Sequence, residues 1–221
     1  MNYMVMAVYR MNPELIEKFM DMNNFDDIHV VAVSDKEYNL GYDNLTVLKY
    51  PKELEIFSLA KTNNYGIRSI QCDDNDIIIK TDPDIKFSRG ILDYIKFYVK
   101  PQKGYIGICA NKAKVEHALD KVWATSAKRK AGRGACFAMT KKDWHDLNGY
   151  DERLEGWGAD DNEMWRRASS RINIVQDWTY PLYHINHANR KGVLEYFPQN
   201  SKKNVKISRN IDWKNENWGT S

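Results

Sequence analysis

The chain has 221 residues, 43% of them hydrophobic and 12% aromatic, so it is long enough to bury a core as a single domain. Its 33 basic and 30 acidic residues give a formal net charge of +3, which is too small by itself to indicate nucleic-acid or membrane binding. The 3 cysteines lie far apart without a Cys-x-x-Cys pair, which argues against a disulfide framework or a zinc knuckle and favours a reducing compartment.

The apolar run at residues 3–9 predicts a buried strand and is too short for a signal peptide or a membrane span. We therefore expect a cytoplasmic protein without a transmembrane segment. Further strands are predicted at 28–33, 45–50 and 76–80, and helices at 13–22 and 53–63, with a turn at 63–66. This alternation predicts a single, mostly parallel, Rossmann-like α/β sheet flanked by helices.

The second half of the chain is less regular. Its patterns predict helices at 90–99, 141–147 and from 160 onward, and strands at 105–110, 135–140, 172–176 and 180–185. Residues 111–134 carry an excess of lysine and arginine, which suits either a solvated surface or a site for an anionic ligand. Residues 192–221 are polar, and we treat them as a C-terminal extension of uncertain structure behind a domain that spans 1–191.

Two aspartates follow the isoleucine strand in the segment KTDPDI. Ligands of parallel α/β sheets bind beyond the carboxyl ends of the strands, which is where Asp82 and Asp84 emerge. Two carboxylates on either side of Pro83 suit a hard divalent cation, Mn²⁺ or Mg²⁺, and such a cation suits a diphosphate. The alternative is an Asp-Pro turn that carries surface acids.

Two histidines, His184 and His187, lie in YHINHANR, after the last predicted strand. Their three-residue spacing is only weakly specific for a metal, and by itself it would ordinarily be explained by one histidine packed in the core and one on the surface. Imidazole together with carboxylate oxygens is nevertheless a suitable ligand set for Mn²⁺. The histidines are therefore candidate ligands because the aspartates are present.

A glycine- and tryptophan-rich turn precedes a cluster of acids in GYDERLEGWGADDNEMWRR. Asp160 and Glu163 have the spacing of a capping box, which leaves Asp161 without a role in the helix. An ionised carboxylate at a helix N-terminus can act as a general base. Trp157 between two glycines suits packing on a sugar ring from a loop that can move. The alternative is a helix cap preceded by a packed tryptophan.

The segment GACFAMTKKDWHDLNGYDERLEGWGADDNEMWRRA resembles the C-terminal half of the β-1,4-galactosyltransferases and the polypeptide N-acetylgalactosaminyltransferases. In those families a strand, a short helix, an Asn-Gly-Phe or Gly-Tyr-Asp turn and a Gly-Trp-Gly-(Gly)-Glu-Asp element follow one another in this order. With the upstream DDNDIIIKTDPDI, the resemblance covers roughly residues 1–190. It implies the GT-A (nucleotide-diphospho-sugar transferase) fold and a metal-dependent, inverting hexosyltransferase.

The resemblance also implies roles for individual residues. Asp82 would contact the ribose or the metal, and Asp84 would be a metal ligand. His187 would complete the metal site, with His184 as the alternative. Asp161 stands at the position of the catalytic base, and Asp160 where the family usually has a glutamate that binds donor or acceptor hydroxyls. The residues that would bind the donor nucleotide sugar are Arg10, Asp35, Asn63, Arg68, Asp82 and Trp157.

The expected reaction moves a hexose or N-acetylhexosamine from a UDP-sugar to a hydroxyl group. The acceptor would be a glycan or glycoconjugate, or an anionic macromolecule such as hydroxymethylated phage DNA, to which lysines and arginines give sequence-independent affinity. A sugar-phosphate nucleotidyltransferase is one alternative, although YRMNPEL lacks the glycines of a phosphate loop. An inactive nucleotide-sugar-binding module is another, although its catalytic carboxylates would then be unexplained.

Overall fold

The computed structural model describes residues 2–109, 122–123, 133–156, 158–176, 180–185 and 201–220. The helices are α1 (Glu14–Asn23), α2 (Leu59–Ser69), α3 (Ile91–Tyr98), α4 (Lys141–Asp146), α5 (Asp160–Ser169) and α6 (Ser201–Ser208). The strands are β1 (Asn2–Ala7), β2 (Ile28–Ser34), β3 (Leu45–Lys49), β4 (Ile77–Thr81), β5 (Ile85–Phe87), β6 (Lys103–Ile108), β7 (Val122–Trp123), β8 (Arg133–Thr140), β9 (Asn173–Gln176) and β10 (Leu182–Ile185). No helix in these ranges is long and apolar enough to cross a membrane.

The main sheet of the described residues has seven strands in the order β3-β2-β1-β4-β8-β6-β9. Strand β1 pairs in parallel with β2 and β4, β2 with β3, and β6 with β9. Strand β8 runs antiparallel to both of its neighbours, β4 and β6. The predicted mostly parallel α/β sheet is confirmed. Because β1, β2 and β4 are parallel, their carboxyl ends meet at one edge, which we call the carboxyl edge.

A second, smaller sheet of three antiparallel strands, in the order β5-β10-β7, was not predicted from the sequence. In it His184 pairs with Ile85, the residue that follows Asp84 in the chain. The small sheet therefore brings the segment with the histidine directly to the segment with the second aspartate.

Strand β4 shows how the core is divided between the two faces of the main sheet. Ile77 and Ile79 pack in the cluster that includes the apolar sides of α1 and α3, whereas Ile78 packs in the cluster on the opposite face, with Trp144 of α4. Side chains alternate along a strand, so Lys80 lies on the same face as Ile78. The Lys80 side chain therefore lies on the face of the main sheet that α4 and α5 cover.

The helix predicted at 53–63 is wrong in its bounds, because α2 spans Leu59–Ser69 and includes the predicted turn at 63–66. The helix begins where the Ser58 hydroxyl accepts a hydrogen bond from a first-turn N–H. Gly66 lies so close to the sheet that an added Cβ would meet Val5 Cγ1 at 2.6 Å and Val33 Cγ2 at 2.8 Å. The glycine allows close helix–sheet packing here, and its turn propensity is overridden.

Two tryptophans pack the C-terminal residues onto the domain. Trp218 is 1% exposed and Trp213 is 8% exposed. The indole N–H of Trp213 donates to the carbonyl of Asn148 at 3.0 Å, and the guanidinium of Arg68 lies 5.6 Å from the centre of the Trp218 ring. The described residues 201–220 are therefore part of the folded domain.

Candidate active site

The carboxyl edge begins with Arg10 and Asp35, which follow β1 and β2. The backbone N–H of Arg10 donates to Asp35 Oδ1 at 2.8 Å, with Arg10 in the left-handed region at φ 55°. Its guanidinium is 3.1 Å from Glu53 Oε1. The fold brings these two predicted nucleotide-binding residues together, and their role in nucleotide binding stays a prediction.

Asp84 and His184 are in direct contact, with His184 Nε2 2.9 Å from Asp84 Oδ2. The contact follows from the β5–β10 pairing, which sets the two segments side by side. His187 lies outside the described residues. A carboxylate oxygen next to an imidazole nitrogen is a donor set that fits Mn²⁺. Among the described residues, no group of three or more potential metal ligands is found.

Lys80 occupies the centre of the site. Its side chain is fully buried, and its ammonium lies 2.8 Å from Asp82 Oδ1 and 3.6 Å from Asp161 Oδ1. It also donates to the carbonyl oxygen of Gly134 on β8 at 2.9 Å. One ammonium thus contacts a carboxylate from the Asp-Pro-Asp segment and a carboxylate from the start of α5, two motifs that are far apart in the sequence.

The surroundings of Lys80 keep it charged. Burial alone would lower the pKa of Lys80, but the carboxylates of Asp82 and Asp161 outweigh burial and hold its pKa well above the usual value. The ring of Tyr150 packs beside the ammonium at 5.9 Å from the ring centre. Burial raises the pKa of Tyr150 well above its usual value, so this phenol stays neutral.

The predicted capping box at the start of α5 is wrong. The helix is preceded by Ala159 in the left-handed region at φ 75°, and no side chain caps it. Glu163 instead forms a fully buried ion pair with Arg167, with Arg167 Nε 2.6 Å from Glu163 Oε1. Since neither aspartate is the cap, the carboxylates of Asp160 and Asp161 both remain available to the site.

Asp161 has the electrostatic character of a general base. Burial raises its pKa to about 8, an effect that Lys80 opposes and that the neighbouring carboxylates of Asp160 and Asp82 strengthen. Its side chain is still 28% exposed, so solvent or a bound ligand can reach the carboxylate. A carboxylate with a pKa near the working pH is well matched to proton transfer.

Gly134 leaves the space that the Asp161 carboxylate fills. Its φ is +132°, and an added Cβ would collide with the carboxylate of Asp161. We expect Gly134→Ala to lower sugar transfer by about a hundredfold, because displacement of a reacting group by about 1 Å has an effect of that size. The measurement is the initial rate of UDP release with a saturating donor.

Gly41→Ala is the control for backbone strain, since Gly41 also has a positive φ, +73°, but nothing lies within 4 Å of its added Cβ. This control is expected to transfer sugar at the wild-type rate. Equal rates for both variants would show that the position of the Asp161 carboxylate does not depend on Gly134.

The C-terminal helix α6 holds the glycine-rich loop. The side-chain amide of Asn204, itself buried, donates to the carbonyls of Glu155 and Gly158, both at 2.9 Å. Lys203 adds an ion pair with Glu155 at 3.0 Å. In the sequence Trp157 stands between Glu155 and Gly158, but it is outside the described residues, and its predicted contact with the sugar stays a prediction.

Two further predicted donor-binding residues, Asn63 and Arg68, lie on α2. Arg68 is at the far end of α2 and donates to the carbonyls of Glu216 and Trp218, so it anchors the C-terminal residues and is not brought to the site. Along the helix axis it is about 14 Å from the first residue of α2, at about 1.5 Å per residue. Asn63 is fully buried, and its amide has no hydrogen-bond partner among the described residues.

Lys80 and Tyr150 were not predicted as site residues from the sequence. The available signal was the lysine in the run Ile-Ile-Ile-Lys, because a charged residue in a buried strand needs charged or hydrogen-bonding partners. Tyr150 gave no such signal, since a tyrosine after Asn-Gly is ordinary turn composition. Its position beside the ammonium is visible only in the folded chain.

One protein-family model matches part of the chain. Residues 115–188, about a third of the chain, match the model described as the N-terminal domain of galactosyltransferase. This segment includes Asp160 and Asp161 and both candidate histidines. No curated protein matches the sequence of the chain.

Solved structures share the fold over almost the whole chain. Drosophila β1,4-galactosyltransferase 7, a mutant in complex with manganese, UDP-Gal and xylobiose, has a TM-score of 0.59 at 15% identity, over 97% of this chain and 82% of that one. Staphylococcus aureus TarS (residues 1–349) with UDP-GlcNAc has a TM-score of 0.57 at 11% identity, over 99% of this chain and 69% of that one. The chain has the GT-A glycosyltransferase fold. In this GT-A domain the Lys80 ammonium at the carboxyl edge of the main sheet contacts Asp82 and Asp161.

Proposed function

We propose that the chain is a metal-dependent, inverting glycosyltransferase that moves a hexose or N-acetylhexosamine from a UDP-sugar to a hydroxyl acceptor. The observation that carries this proposal is the shared contact of Asp82 and Asp161 with the ammonium of Lys80. It brings the predicted donor-side aspartates and the predicted base into one small volume at the carboxyl edge, where α/β sheets bind their ligands.

The reaction follows from the position and charge of Asp161. The acceptor oxygen attacks the anomeric carbon while the bond from that carbon to the diphosphate oxygen breaks, and the acceptor proton passes to the carboxylate. A single displacement of this kind inverts the configuration at the anomeric carbon. Asp160, next to the base and 7% exposed, is assigned to hydroxyl groups of the donor or acceptor.

Asp84 and His184 are the described residues that fit a divalent cation, because a carboxylate oxygen and an imidazole nitrogen lie together beyond β4. Asp82 belongs to the same segment, and His187 is the further candidate from the sequence. Mn²⁺ or Mg²⁺, when bound, supplies charge that stabilises the leaving diphosphate. The galactosyltransferase neighbour that holds manganese and UDP-Gal supports this assignment.

The acceptor is assigned by class only. A glycan or glycoconjugate hydroxyl is the first candidate, because the galactosyltransferase neighbour binds xylobiose. Hydroxymethylated DNA is the second, on account of the basic segment 111–134. Transfer to DNA is expected to fall steeply between 50 and 200 mM salt, and transfer to a neutral glycan is expected to stay nearly constant.

A released-UDP assay tests the proposed reaction. Purified protein is incubated with UDP-glucose, UDP-galactose, UDP-GlcNAc or UDP-GalNAc, with Mn²⁺ or with EDTA, and with acceptors of both classes. Acceptor-stimulated release of UDP in Mn²⁺ supports the proposal. Tight binding of a UDP-sugar without any turnover would instead indicate an inactive binding module.

The pH profile of transfer should report Asp161. Because only the ionised carboxylate accepts a proton and burial raises its pKa to about 8, kcat/KM is expected to fall about tenfold per pH unit below that value. The profile is measured from pH 6 to 9.5 with saturating Mn²⁺. The residual rate of Asp161→Asn should lack this limb, and a wild-type rate that is flat across the range would contradict the assignment.

A further inference from the structure

Lys80 is the most unusual feature of the site that the proposed reaction does not use directly. Its ammonium is fully enclosed between β4, β8 and α5, with Asp82 at 2.8 Å, the Gly134 carbonyl at 2.9 Å and Asp161 at 3.6 Å. A buried ammonium is stable only when interactions with its partners offset the free energy lost when it leaves water. Here two of the partners have roles in the proposed function: Asp82 lies on the metal side of the site, and Asp161 accepts the proton of the acceptor.

The two carboxylates differ in how they hold this charge. Asp82 accepts a short, charge-assisted hydrogen bond from Lys80, so one of its oxygens is already engaged by a cation. Asp161 is held at 3.6 Å by charge and by the fit of its carboxylate against Gly134. The ammonium therefore restrains the first aspartate and orients the second.

We propose that Lys80 is the positioning residue of this site, an internal cation that orients Asp161 for the acceptor and at the same time limits the hold of Asp82 on the divalent metal. The inference rests on the proposed function. A fixed positive charge beside Asp82 competes for its oxygen and repels a second cation, so metal affinity is set below the value that the carboxylates alone would give. The same charge on Lys80 therefore lowers the affinity for the metal and orients the Asp161 carboxylate.

Lys80→Met tests this coupling because it keeps an unbranched side chain of similar size and removes the charge. Mn²⁺ binding, measured from the electron paramagnetic resonance signal of the free ion, is expected to tighten about tenfold, since Asp82 is released and the repulsion is gone. Sugar transfer at saturating Mn²⁺ is expected to fall about a hundredfold in kcat, since Asp161 loses its oriented position. A purely structural role for Lys80 would weaken both metal binding and transfer.

Thr81→Val is the control from the same strand, because Thr81 is equally buried and donates a hydrogen bond to the Ala135 carbonyl at 3.1 Å. It should leave Mn²⁺ affinity within about twofold of the wild type. Lys80→Gln is the second variant if Lys80→Met does not fold, since its amide can still donate to the Gly134 carbonyl. Like Lys80→Met, it is expected to bind Mn²⁺ more tightly and to have a lower kcat than the wild type.

Asp161→Asn tests the same effect of Lys80 on Mn²⁺ affinity while Lys80 itself is unchanged. At pH 8.5, where the wild-type Asp161 is ionised, this variant leaves Lys80 to Asp82 alone, and Mn²⁺ binding is expected to weaken about threefold or more. Unchanged affinity in this variant, or a parallel fall of Mn²⁺ binding and kcat in the Lys80 variants, would overturn the inference while the proposed function stands. A wild-type protein that neither binds Mn²⁺ nor transfers sugar would overturn the proposed function and the inference with it.

Discussion

Replacing Asp161 with asparagine is expected to lower sugar transfer by about a hundredfold or more, because the amide cannot accept the acceptor proton. UDP binding at saturating Mn²⁺ should persist, since the donor-side aspartates are unchanged. The same variant should melt about 2–4 °C above the wild type at pH 8.5. Loss of activity together with a gain in stability is characteristic of a functional group held in an unfavourable environment.

The stability gain follows from the pKa of Asp161. Its pKa in the folded chain, about 8, lies above the ordinary value of 3.8, so ionisation of the carboxyl disfavours the folded state. The stability that the protonated carboxyl provides is fully present below about pH 4 and is lost as the pH rises to about 8. The melting-temperature difference between variant and wild type should therefore shrink at pH 5.

Asp151→Asn is the matched control, since Asp151 is a buried carboxylate that is ion-paired with Arg153 at 2.6 Å. Removal of this paired charge should lower the melting temperature at both pH values. Near-normal transfer in Asp161→Asn would contradict the role of Asp161 as the base. A melting temperature of this variant below that of the wild type at pH 8.5 would contradict the raised pKa of the Asp161 carboxyl.

Replacing Arg167 with alanine is expected to destabilise the fold by about 3–5 kcal/mol, the largest stability effect predicted for a single residue here. Arg167 and Glu163 are both fully buried, and the guanidinium also donates to the carbonyls of Leu147 and Gly149. The alanine variant leaves a buried glutamate without its counter-charge and two carbonyls without a donor. Urea denaturation followed by tryptophan fluorescence measures the change.

Arg166→Ala is the neighbouring control, because Arg166 is exposed and donates to the Ser208 carbonyl at 2.9 Å. It should cost about 1 kcal/mol or less. The double variant Glu163→Met with Arg167→Met should recover much of the lost stability, since apolar residues often replace a buried ion pair without loss. A change below about 1 kcal/mol in Arg167→Ala would show that the pair does not hold α5 on the turn at 147–149.

The strands of the main sheet could be predicted because their apolar residues carry a local pattern. Strand β4 is the clearest example, since its isoleucine run directly precedes two acids. Helix α2 could not be bounded in the same way. Asn64 and Gly66 favour a turn by composition, but the Asn64 amide is bonded to the Tyr150 backbone, and Gly66 packs against the sheet. Such long-range contacts leave no local signal.

Only those parts of the candidate site that lie in local sequence motifs could be predicted. Asp82, Asp84, Asp160 and Asp161 stand in short motifs, and the motifs are local. The pairing of β5 with β10, which brings His184 to Asp84, depends on strands too short to show a period. The capping box had the right spacing, but the buried partner of Glu163 outweighed it, because a buried carboxylate without a counter-charge is unfavourable.

Metal-dependent binding of a UDP-sugar to this site is tested by calorimetric titration of UDP and of a UDP-sugar into the purified protein, with Mn²⁺ and again with EDTA. Binding of both ligands is expected in Mn²⁺, with a loss of affinity of at least about tenfold in EDTA, because a cation held by Asp84 and His184 would supply charge that stabilises the diphosphate. Absence of binding under both conditions would contradict the assignment of this site to a UDP-sugar.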